Sequence, residues 1–360
     1  MRVGIVLNYT RHDSTYAALK TAEVIRDLGY GVLFFDKTTK TNRANLHAYW
    51  DDFVQASSDI DFASWLDECQ VVLFFSYPTS KEIKLVKKKN IPCASSITWD
   101  SIDSETVAAV KPCDLLVCPS KVQQEYFTTY WNLSNIKHVY YDSNWSITNN
   151  ERVNSNKLRI IAACPGYQIK RVDYNKLFDA LNEAMEACPS IDLDFLYSSK
   201  VASQVKVNLK KHEKTFSGGN ALSLIDDTTG WSEGPLAYAL CDAVFWPAQL
   251  ESFGYVGLEA MTVGTPVITY NHCPMNELIS DRVNGILMPC DIKQTELGVT
   301  YVEHGHRKIV ETFKLINNDP GIIHSMKNTG HKIVAKHKED FPKFWENAVE
   351  QLIATRKDKR

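Results

Sequence analysis

The sequence predicts an α/β protein built from two doubly wound, Rossmann-like domains. Short apolar segments alternate with amphipathic ones through residues 1–141, this pattern stops across 142–157, and it starts again at Leu158. Strands that alternate with helices form parallel sheets, because each helix carries the chain back across one face of the sheet. The chain has 360 residues, which suits two domains better than one.

Residues 1–145 form the predicted N-terminal domain. Its first helix has apolar residues near one face from Tyr16 to Leu28 and ends at Gly29, a residue common just after helix C-termini. The apolar segments that predict strands in this domain are Val3–Leu7, Val32–Phe35, Val71–Phe75, Cys93–Thr98, Leu115–Cys118 and Ile136–Tyr141.

Residues 146–157 are rich in Asn and Ser and are interpreted as a linker, and 158–337 form the predicted C-terminal domain. A last segment, 338–360, carries a helix expected after an interruption at Pro342. Two such domains side by side leave a cleft facing the carboxyl ends of both sheets. The predicted strands of the second domain are Leu158–Ala163, Leu193–Tyr197, Thr215–Phe216, Ala243–Trp246 and Pro266–Thr269.

Composition limits the classes of function. The chain is 44% hydrophobic and 23% charged with a net charge of −3, so a soluble protein without a strong field is expected. Without an 18-residue apolar run or a leader, it is expected to be cytoplasmic and to lack a membrane span. Nine cysteines without a C-x-x-C pair fit a reducing compartment. Nucleic acid is not the favoured partner. It would become plausible only if the basic clusters of the chain lay together on one face of the protein. These clusters are Lys87–Lys89, Lys206–Lys214 and Arg356–Arg360.

The segment from Trp246 to Ile268 is the strongest functional signal. It predicts a strand, a glycine-bearing turn and a helix, with Glu251 and Glu259 eight positions apart. With Glu251 at the helix mouth, both carboxylates would lie on one side, about 12 Å apart. The following residues, Ser252, Phe253 and Gly254, are expected to offer unpaired backbone N–H groups to a phosphate. The alternative is that both Glu side chains only solvate an exposed helix stripe.

Five short motifs carry a resemblance to a known family: Glu251-Ser-Phe-Gly254, Glu259-Ala-Met, Gly264-Thr-Pro-Val-Ile268, Asn276-Glu-Leu-Ile279 and Asn284-Gly-Ile-Leu-Met-Pro289. Together they resemble the donor-binding half of retaining GT-B-type glycosyltransferases of the group-1, glycogen-synthase-like family. The resemblance implies the GT-B architecture, in which two Rossmann-like domains face each other across a cleft and the helix of 338–360 crosses back onto the N-terminal domain. It also implies that Glu251 contacts the transferred sugar, that Glu259 holds the ribose, and that Ser252, Phe253, Gly254 and Tyr255 line the donor site.

A second candidate site follows the first strand of the second domain. Here Gly166 and Tyr167 precede Lys170 and Arg171, and cations with backbone amides can bind a diphosphate at such a turn. The segment resembles the family's phosphate loop, which implies that Lys170 binds the diphosphate. Because Tyr167 stands where the family commonly has Arg, Arg171 is the candidate for the second cation. The alternative is that both cations simply lie at the start of a helix.

The first domain offers two further candidates. Where the family often carries His-Asp, this chain has Trp99 and Asp100; a Trp ring can stack on a sugar but cannot transfer a proton. Asp100 is either a cleft residue or the N-cap of the next helix. In the first loop, Arg11 and His12 contact the donor phosphate or the acceptor, or they face solvent.

The resemblance implies a retaining hexosyl- or pentosyltransferase that moves a sugar from a nucleotide diphosphate sugar to an acceptor hydroxyl on a glycan, a small molecule or a modified nucleic acid. A UDP-sugar is the favoured donor, with no cofactor and no metal, since His304-Gly-His306 has no third ligand at diagnostic spacing. Two alternatives stay open, a non-catalytic nucleotide-sugar-binding protein of GT-B type and a sugar-nucleotide epimerase. The acceptor and the oligomeric state are not set by the sequence.

Overall fold

The structure is a computed structural model that describes residues 1–7, 12–37, 53–55, 59–143, 146–149, 156–164, 173–197, 202–212, 215, 224–226, 233–303 and 305–358. The chain divides into two compact units. The first contains Met1–Asn144 and His337–Arg360, and the second contains Trp145–Lys336. Each unit is an α/β structure around its own parallel sheet, as the alternation of apolar and amphipathic segments predicts.

The first unit contains a seven-stranded sheet in the order β3-β2-β1-β4-β5-β6-β7, and its described pairings are all parallel. All six strands predicted for this unit are present, and the short β3 was not predicted. The strands are β1 Arg2–Leu7, β2 Gly31–Asp36, β3 Phe53–Gln55, β4 Val71–Phe74, β5 Cys93–Ser96, β6 Leu115–Cys118 and β7 Ile136–His138. The helices between them are α1 His12–Asp27, α2 Asp59–Leu66, α3 Ser80–Lys88, α4 Ser104–Val110 and α5 Lys121–Thr129.

Local sequence explains where these elements begin and end. Helix α1 is followed by Gly29 with φ +80°, a conformation that glycine adopts at little steric cost. Helix α3 starts at a capping box in which Thr79 accepts the Glu82 N–H and the Glu82 carboxylate accepts the Thr79 N–H. Strand β4 is buried at all four positions, because helices cover both faces of a parallel sheet.

The second unit contains a six-stranded sheet in the order β10-β9-β8-β11-β12-β13, again with parallel pairings, and a separate antiparallel hairpin of β14 and β15. The strands are β8 Leu158–Cys164, β9 Ile191–Tyr197, β10 Leu224–Asp226, β11 Ala243–Trp246, β12 Val267–Tyr270, β13 Gly285–Met288, β14 Asp291–Gln294 and β15 Thr300–Glu303. The helices of this unit are α6 Tyr174–Ala187, α7 Ala202–Lys211, α8 Glu233–Ala239, α9 Tyr255–Thr262, α10 Met275–Leu278, α11 His306–Asn318 and α12 Gly321–Met326. The last helix, α13 His331–Asp358, begins in the second unit and belongs to the first unit from His337 on.

Strands β13, β14 and β15 were not predicted, and two expectations about other elements are wrong. The strand predicted at Thr215–Phe216 is wrong at Thr215, which is helical, while Phe216 lies outside the described residues. The strand that pairs with β9 is instead β10, a three-residue element too short to show periodicity. Helix α13 is not interrupted at Pro342 but runs through it. Proline removes one backbone hydrogen bond there, and burial of the adjacent Phe341 and nearby Trp345 offsets that loss.

Each of the two sheets has one topological switch point, which lies between two neighbouring strands. Counted along the chain, the strand order in each unit starts 3-2-1-4-5-6, so the direction of winding reverses between β1 and β4, and between β8 and β11. In open α/β sheets, ligands bind outside the carboxyl ends of the strands at this point. In the second unit, the segments that follow these two strands are 165–172 and 247–254.

The eight cysteines with described side chains are free thiols, and burial raises the pKa of Cys69 to about 12, so that thiol is unreactive. In the described part of the chain, no helix combines the length and the apolar character needed to cross a bilayer.

Candidate functional site

Glu251 lies in the loop between β11 and α9, at the carboxyl end of a strand beside the switch point. Its side chain is buried, with 2% of its surface exposed. Its Oε1 oxygen accepts the backbone N–H of Ser252 at 2.9 Å and that of Phe253 at 3.3 Å. The expectation that these two N–H groups are unpaired is therefore wrong, because the Glu251 carboxylate folds back onto the residues that follow it.

Gly254 shapes the end of this loop. It is the N-cap of α9 and has φ +86°, and a Cβ added to it would lie 2.5 Å from Leu278 Cδ1. Residues with a side chain rarely adopt this conformation, and here they would also displace Leu278. Gly254 provides no capping side chain, so the helix N-terminus beside it keeps the partial positive charge that attracts phosphate.

Glu259 lies on α9, but Glu251 does not. Because α9 begins at Tyr255, four residues after Glu251, the helical spacing used to place the two carboxylates on one side does not apply to them. Seven of the eight residues of α9 are buried, and Glu259 is the half-buried exception. A helix buried on nearly every side has no exposed stripe to solvate, which disfavours the simple solvation alternative.

Gln249 connects three parts of the carboxyl edge of the second unit, and the sequence did not single it out. Its backbone oxygen accepts the N–H of Val302 in β15 at 2.8 Å. Its side-chain Oε1 accepts the N–H of Asp173 at 3.1 Å, where Asp173 is the N-cap of α6. These partners are 53 and 76 positions away in the chain, so no local pattern could indicate them.

The loop after β12 adds a buried histidine that the sequence also did not indicate. His272 is 3% exposed, and its Nε2 lies 3.0 Å from Thr300 Oγ1 in β15. Burial lowers the pKa of His272 to about 4, so the imidazole is neutral near pH 7. The neighbouring Cys273 has its pKa raised by burial to about 11, and its thiol stays protonated.

In the first unit, Asp100 lies in a 3-10 turn, Trp99–Ser101, which follows β5. The turn is held at its start, because the Tyr77 hydroxyl accepts the Thr98 N–H at 2.7 Å and donates to the Thr98 oxygen at 2.6 Å. Asp100 is not the N-cap of the next helix. That position belongs to Asp103, whose Oδ1 accepts the Thr106 N–H at 2.7 Å.

Trp99 is not available for stacking on a sugar in this structure. Its side chain is 3% exposed, and its ring lies edge-on to that of Tyr126 with the centroids 6.1 Å apart. Its backbone N–H donates to Gln123 Oε1 at 3.1 Å. The side chain predicted to contact the acceptor or a phosphate is therefore an interior packing side chain, because its ring lies against Tyr126 of α5.

Several candidate residues fall where the structure gives no description. His12 is the first residue of α1, and its side chain is not described. Its chain neighbour and the whole predicted phosphate loop lie outside the described residues; these are Arg11, Gly166, Tyr167, Lys170 and Arg171. Their roles stay predictions.

The remaining charged candidates have ordinary partners. His306 Nε2 lies 2.8 Å from Glu183 Oε2, while His304 is outside the described residues. Among the residues that the structure describes, no three His, Cys, Asp or Glu side chains gather as a metal site would require. In the basic clusters, Lys87 pairs with Asp114 at 2.6 Å and Lys211 with Asp179 at 2.6 Å.

The fold is that of solved glycosyltransferases of GT-B type. The structure is similar to that of HepE from Anabaena in complex with UDP, with a TM-score of 0.77, 12% identity and coverage of 98% of this chain and 100% of that one. It is similar to the pneumococcal O-GlcNAc transferase GtfA in complex with UDP and GlcNAc, with a TM-score of 0.75, 12% identity and coverage of 98% and 99%.

Sequence comparison then gives the family. Residues 205–311, which include Glu251 and Glu259, match the family described as "Glycosyl transferases group 1". A D-inositol 3-phosphate glycosyltransferase from Segniliparus rotundus is 29% identical over 117 residues, which is 31% of this chain and 25% of that protein. This part of the chain, residues 205–311, is therefore similar to the group-1 glycosyltransferases. The matches to the four curated relatives span only 17% to 25% of the length of those proteins.

Proposed function

We propose that this chain is a retaining glycosyltransferase that moves a sugar from a UDP-sugar to an acceptor hydroxyl. The observation that carries the proposal is the position of Glu251. This carboxylate is buried at the carboxyl end of β11, beside the switch point, and two backbone N–H groups fix one of its oxygens. A carboxylate fixed in this way can accept hydrogen bonds from sugar hydroxyls without first being ordered by the ligand.

The donor site would follow the strands that flank the switch point of the second unit. Lys170, with Arg171, would bind the diphosphate together with the backbone near Gly166 and Tyr167. Glu259 would accept the ribose hydroxyls, and the loop from Ser252 to Tyr255 would line the site. UDP is the proposed nucleotide because HepE and GtfA were crystallised with it.

The chemistry would depend on electrostatic stabilisation of the leaving diphosphate. As the bond from the anomeric carbon to the phosphate oxygen breaks, negative charge develops on that oxygen, and Lys170 with the N-terminus of α9 would stabilise it. Glu251 would orient the sugar through its hydroxyls rather than attack the anomeric carbon. The acceptor hydroxyl would attack the anomeric carbon from the face that the diphosphate leaves and pass its proton to the departing phosphate oxygen, which retains the configuration. Asp100 is proposed as a further catalytic residue.

The acceptor would be a hydroxyl-bearing glycan or small molecule. The match to proteins named D-inositol 3-phosphate glycosyltransferase supports a polyol-like acceptor. Nucleic acid is disfavoured, because Lys87 and Lys211 in the basic clusters are already neutralised by aspartates.

Incubation with UDP-, GDP- and ADP-sugars tests the proposal directly. The expected result is slow release of UDP together with a free sugar whose anomeric configuration, followed by NMR before mutarotation, matches that of the donor. Isomerised donor would indicate an epimerase, and UDP binding without any turnover across a panel of acceptors would indicate a binding protein. Inversion at the anomeric carbon would contradict the retaining mechanism.

A further inference from the structure

Strand β14 leaves one edge of its hairpin open. In the described part of the chain it pairs only with β15, and all four of its residues, Asp291–Gln294, are exposed. An open strand edge presents a row of backbone N–H and C=O groups to which another strand can add. The other strand of the hairpin is anchored to the body of the second unit, since the Val302 N–H donates to the Gln249 oxygen at 2.8 Å.

The register of the hairpin shows which backbone groups reach the open edge. In an antiparallel pair, directly opposite residues either exchange both of their backbone hydrogen bonds or exchange neither. Ile292 is directly opposite Val302, whose N–H donates to Gln249 instead of to β14. The N–H and C=O of Ile292 therefore point to the open edge. The Ile292 side chain is 56% exposed, although it lies on the same face of the hairpin as the fully buried Val302.

The charges on the other face of the hairpin are unbalanced. Asp291 lies directly opposite Glu303, and two carboxylates in this arrangement repel each other. Among the residues that the structure describes, no basic side chain forms an ion pair with either carboxylate. Lys293 lies on the same face, two positions further along β14, and it too forms no ion pair with a described residue. A strand that placed a cation opposite Asp291 would relieve the repulsion.

A second copy of β14 places a cation at this position. If two copies pair antiparallel about a two-fold axis at Ile292, the two Ile292 residues exchange their outward hydrogen bonds and their side chains lie side by side. Asp291 of each copy then lies opposite Lys293 of the other copy. Sliding the pairing by two residues would instead place Lys293 opposite Lys293, or Asp291 opposite Asp291. The charges therefore favour one register.

We propose that β14 is a homodimer interface, through which the hairpins of two copies join into one four-stranded antiparallel sheet in the order β15-β14-β14-β15. The contact uses the same surface on both copies, so it closes on itself and forms dimers rather than filaments. One pair of four-residue strands is small for a protein interface, and we expect a dimer that dissociates in the micromolar range.

Sedimentation velocity of the full chain, from about 1 μM to about 300 μM, measures the dimer Kd. The wild-type protein should show a monomer–dimer equilibrium over this range. Asp291→Lys and Lys293→Asp each replace two opposite-charge pairs of the interface by two like-charge pairs, and each should raise the dimer Kd about tenfold or more. The double variant with both substitutions exchanges the charges and restores the opposite-charge pairs, so its Kd should return to within about threefold of the wild-type value.

Lys206→Asp is the matched control, because it makes the same change of charge at an exposed position of α7. Its dimer Kd should equal that of the wild-type protein. All the substituted positions are exposed, so the thermal melting curves recorded by circular dichroism should stay unchanged. A wild-type protein that stays monomeric at the highest concentration would overturn the inference. So would a Kd that the single substitutions leave unchanged, that Lys206→Asp raises equally, or that the double variant does not restore.

Discussion

The Oε1 oxygen of Glu251 accepts the backbone N–H of Ser252 at 2.9 Å, and this bond fixes the carboxylate inside its own loop. The same oxygen accepts the Phe253 N–H at 3.3 Å. Glu251 therefore has a structural task in addition to its proposed contact with the sugar. Substitutions that preserve one task and remove the other can separate the two.

Glu251→Gln is expected to keep the conformation of the loop and to lose the transfer activity. The amide oxygen can still accept both N–H groups, whereas the charge that binds sugar hydroxyls is lost. We expect the rate of transfer to fall about 100-fold or more, with the Kd for UDP changed less than about twofold. Glu251→Ala should also lower the melting temperature, because it leaves two N–H groups without an acceptor, at about 1–3 kcal/mol each when buried. Equal loss of UDP affinity and transfer in Glu251→Gln would contradict this assignment.

Glu259→Gln should weaken nucleotide binding instead. A carboxylate that accepts ribose hydroxyls contributes charge-assisted hydrogen bonds, and their loss is expected to raise the Kd for UDP about tenfold. The rate at saturating donor should change little. Glu296→Gln, at an exposed position of the β14–β15 hairpin, is the matched control. A Glu259→Gln variant that binds UDP normally would remove Glu259 from the site.

Gly254→Ala should combine a loss of stability with a loss of UDP affinity. The φ of +86° is unfavourable for alanine, and the new Cβ would displace Leu278 from 2.5 Å, which shifts the start of α9. Gly29→Ala is the control, with φ +80° and no atom within 4 Å of an added Cβ. Gly29→Ala should lose about 1 kcal/mol of unfolding free energy, and Gly254→Ala should lose more, because the clash with Leu278 adds to the backbone strain. If Gly29→Ala weakens UDP binding as much as Gly254→Ala, the effect does not arise at the donor site.

Substitution of Asp103 should lower the stability of the protein, whereas substitution of Asp100 should lower the rate of transfer. Asp103 is the N-cap of α4, so Asp103→Ala should cost about 1 kcal/mol of stability and leave the rate of transfer unchanged. Asp100→Asn should lower the rate of transfer and leave the melting temperature within a degree or so. Chemical denaturation and a transfer assay on both variants measure this. Full activity in Asp100→Asn would exclude Asp100 from catalysis.

The buried His272 should make the protein less stable in mild acid. Its pKa is lowered by burial to about 4 in the folded state, against 6.5 for an exposed imidazole. Between these values the unfolded chain binds a proton that the folded chain does not, so stability is lost as the pH falls from 6.5 towards 4. His272→Gln should show a smaller loss of melting temperature over this range. An unchanged slope would mean that other groups cause the acid sensitivity.

The sequence predicted the sheets of this protein better than its loops. Apolar runs such as Val3–Leu7 and Val71–Phe75 predicted strands that the structure contains, because burial on both faces of a parallel sheet leaves a continuous apolar signal. The short strand β10 carried no such signal and was misplaced at Thr215. The resemblance to the group-1 glycosyltransferases was also visible in the sequence, since the motifs that carry it lie within one continuous stretch, Pro247–Pro289.

The sequence by itself determined the α/β class, the two-part organisation and the segment that carries the proposed donor site. Tertiary structure alone decided that Glu251 bonds to the backbone beside it, that Trp99 is buried against Tyr126, and that Gln249 joins β15 to Asp173. The physical reason is that secondary-structure propensity and hydrophobic periodicity depend on only a few neighbouring residues. Burial and hydrogen-bond partners depend on residues that only folding brings together.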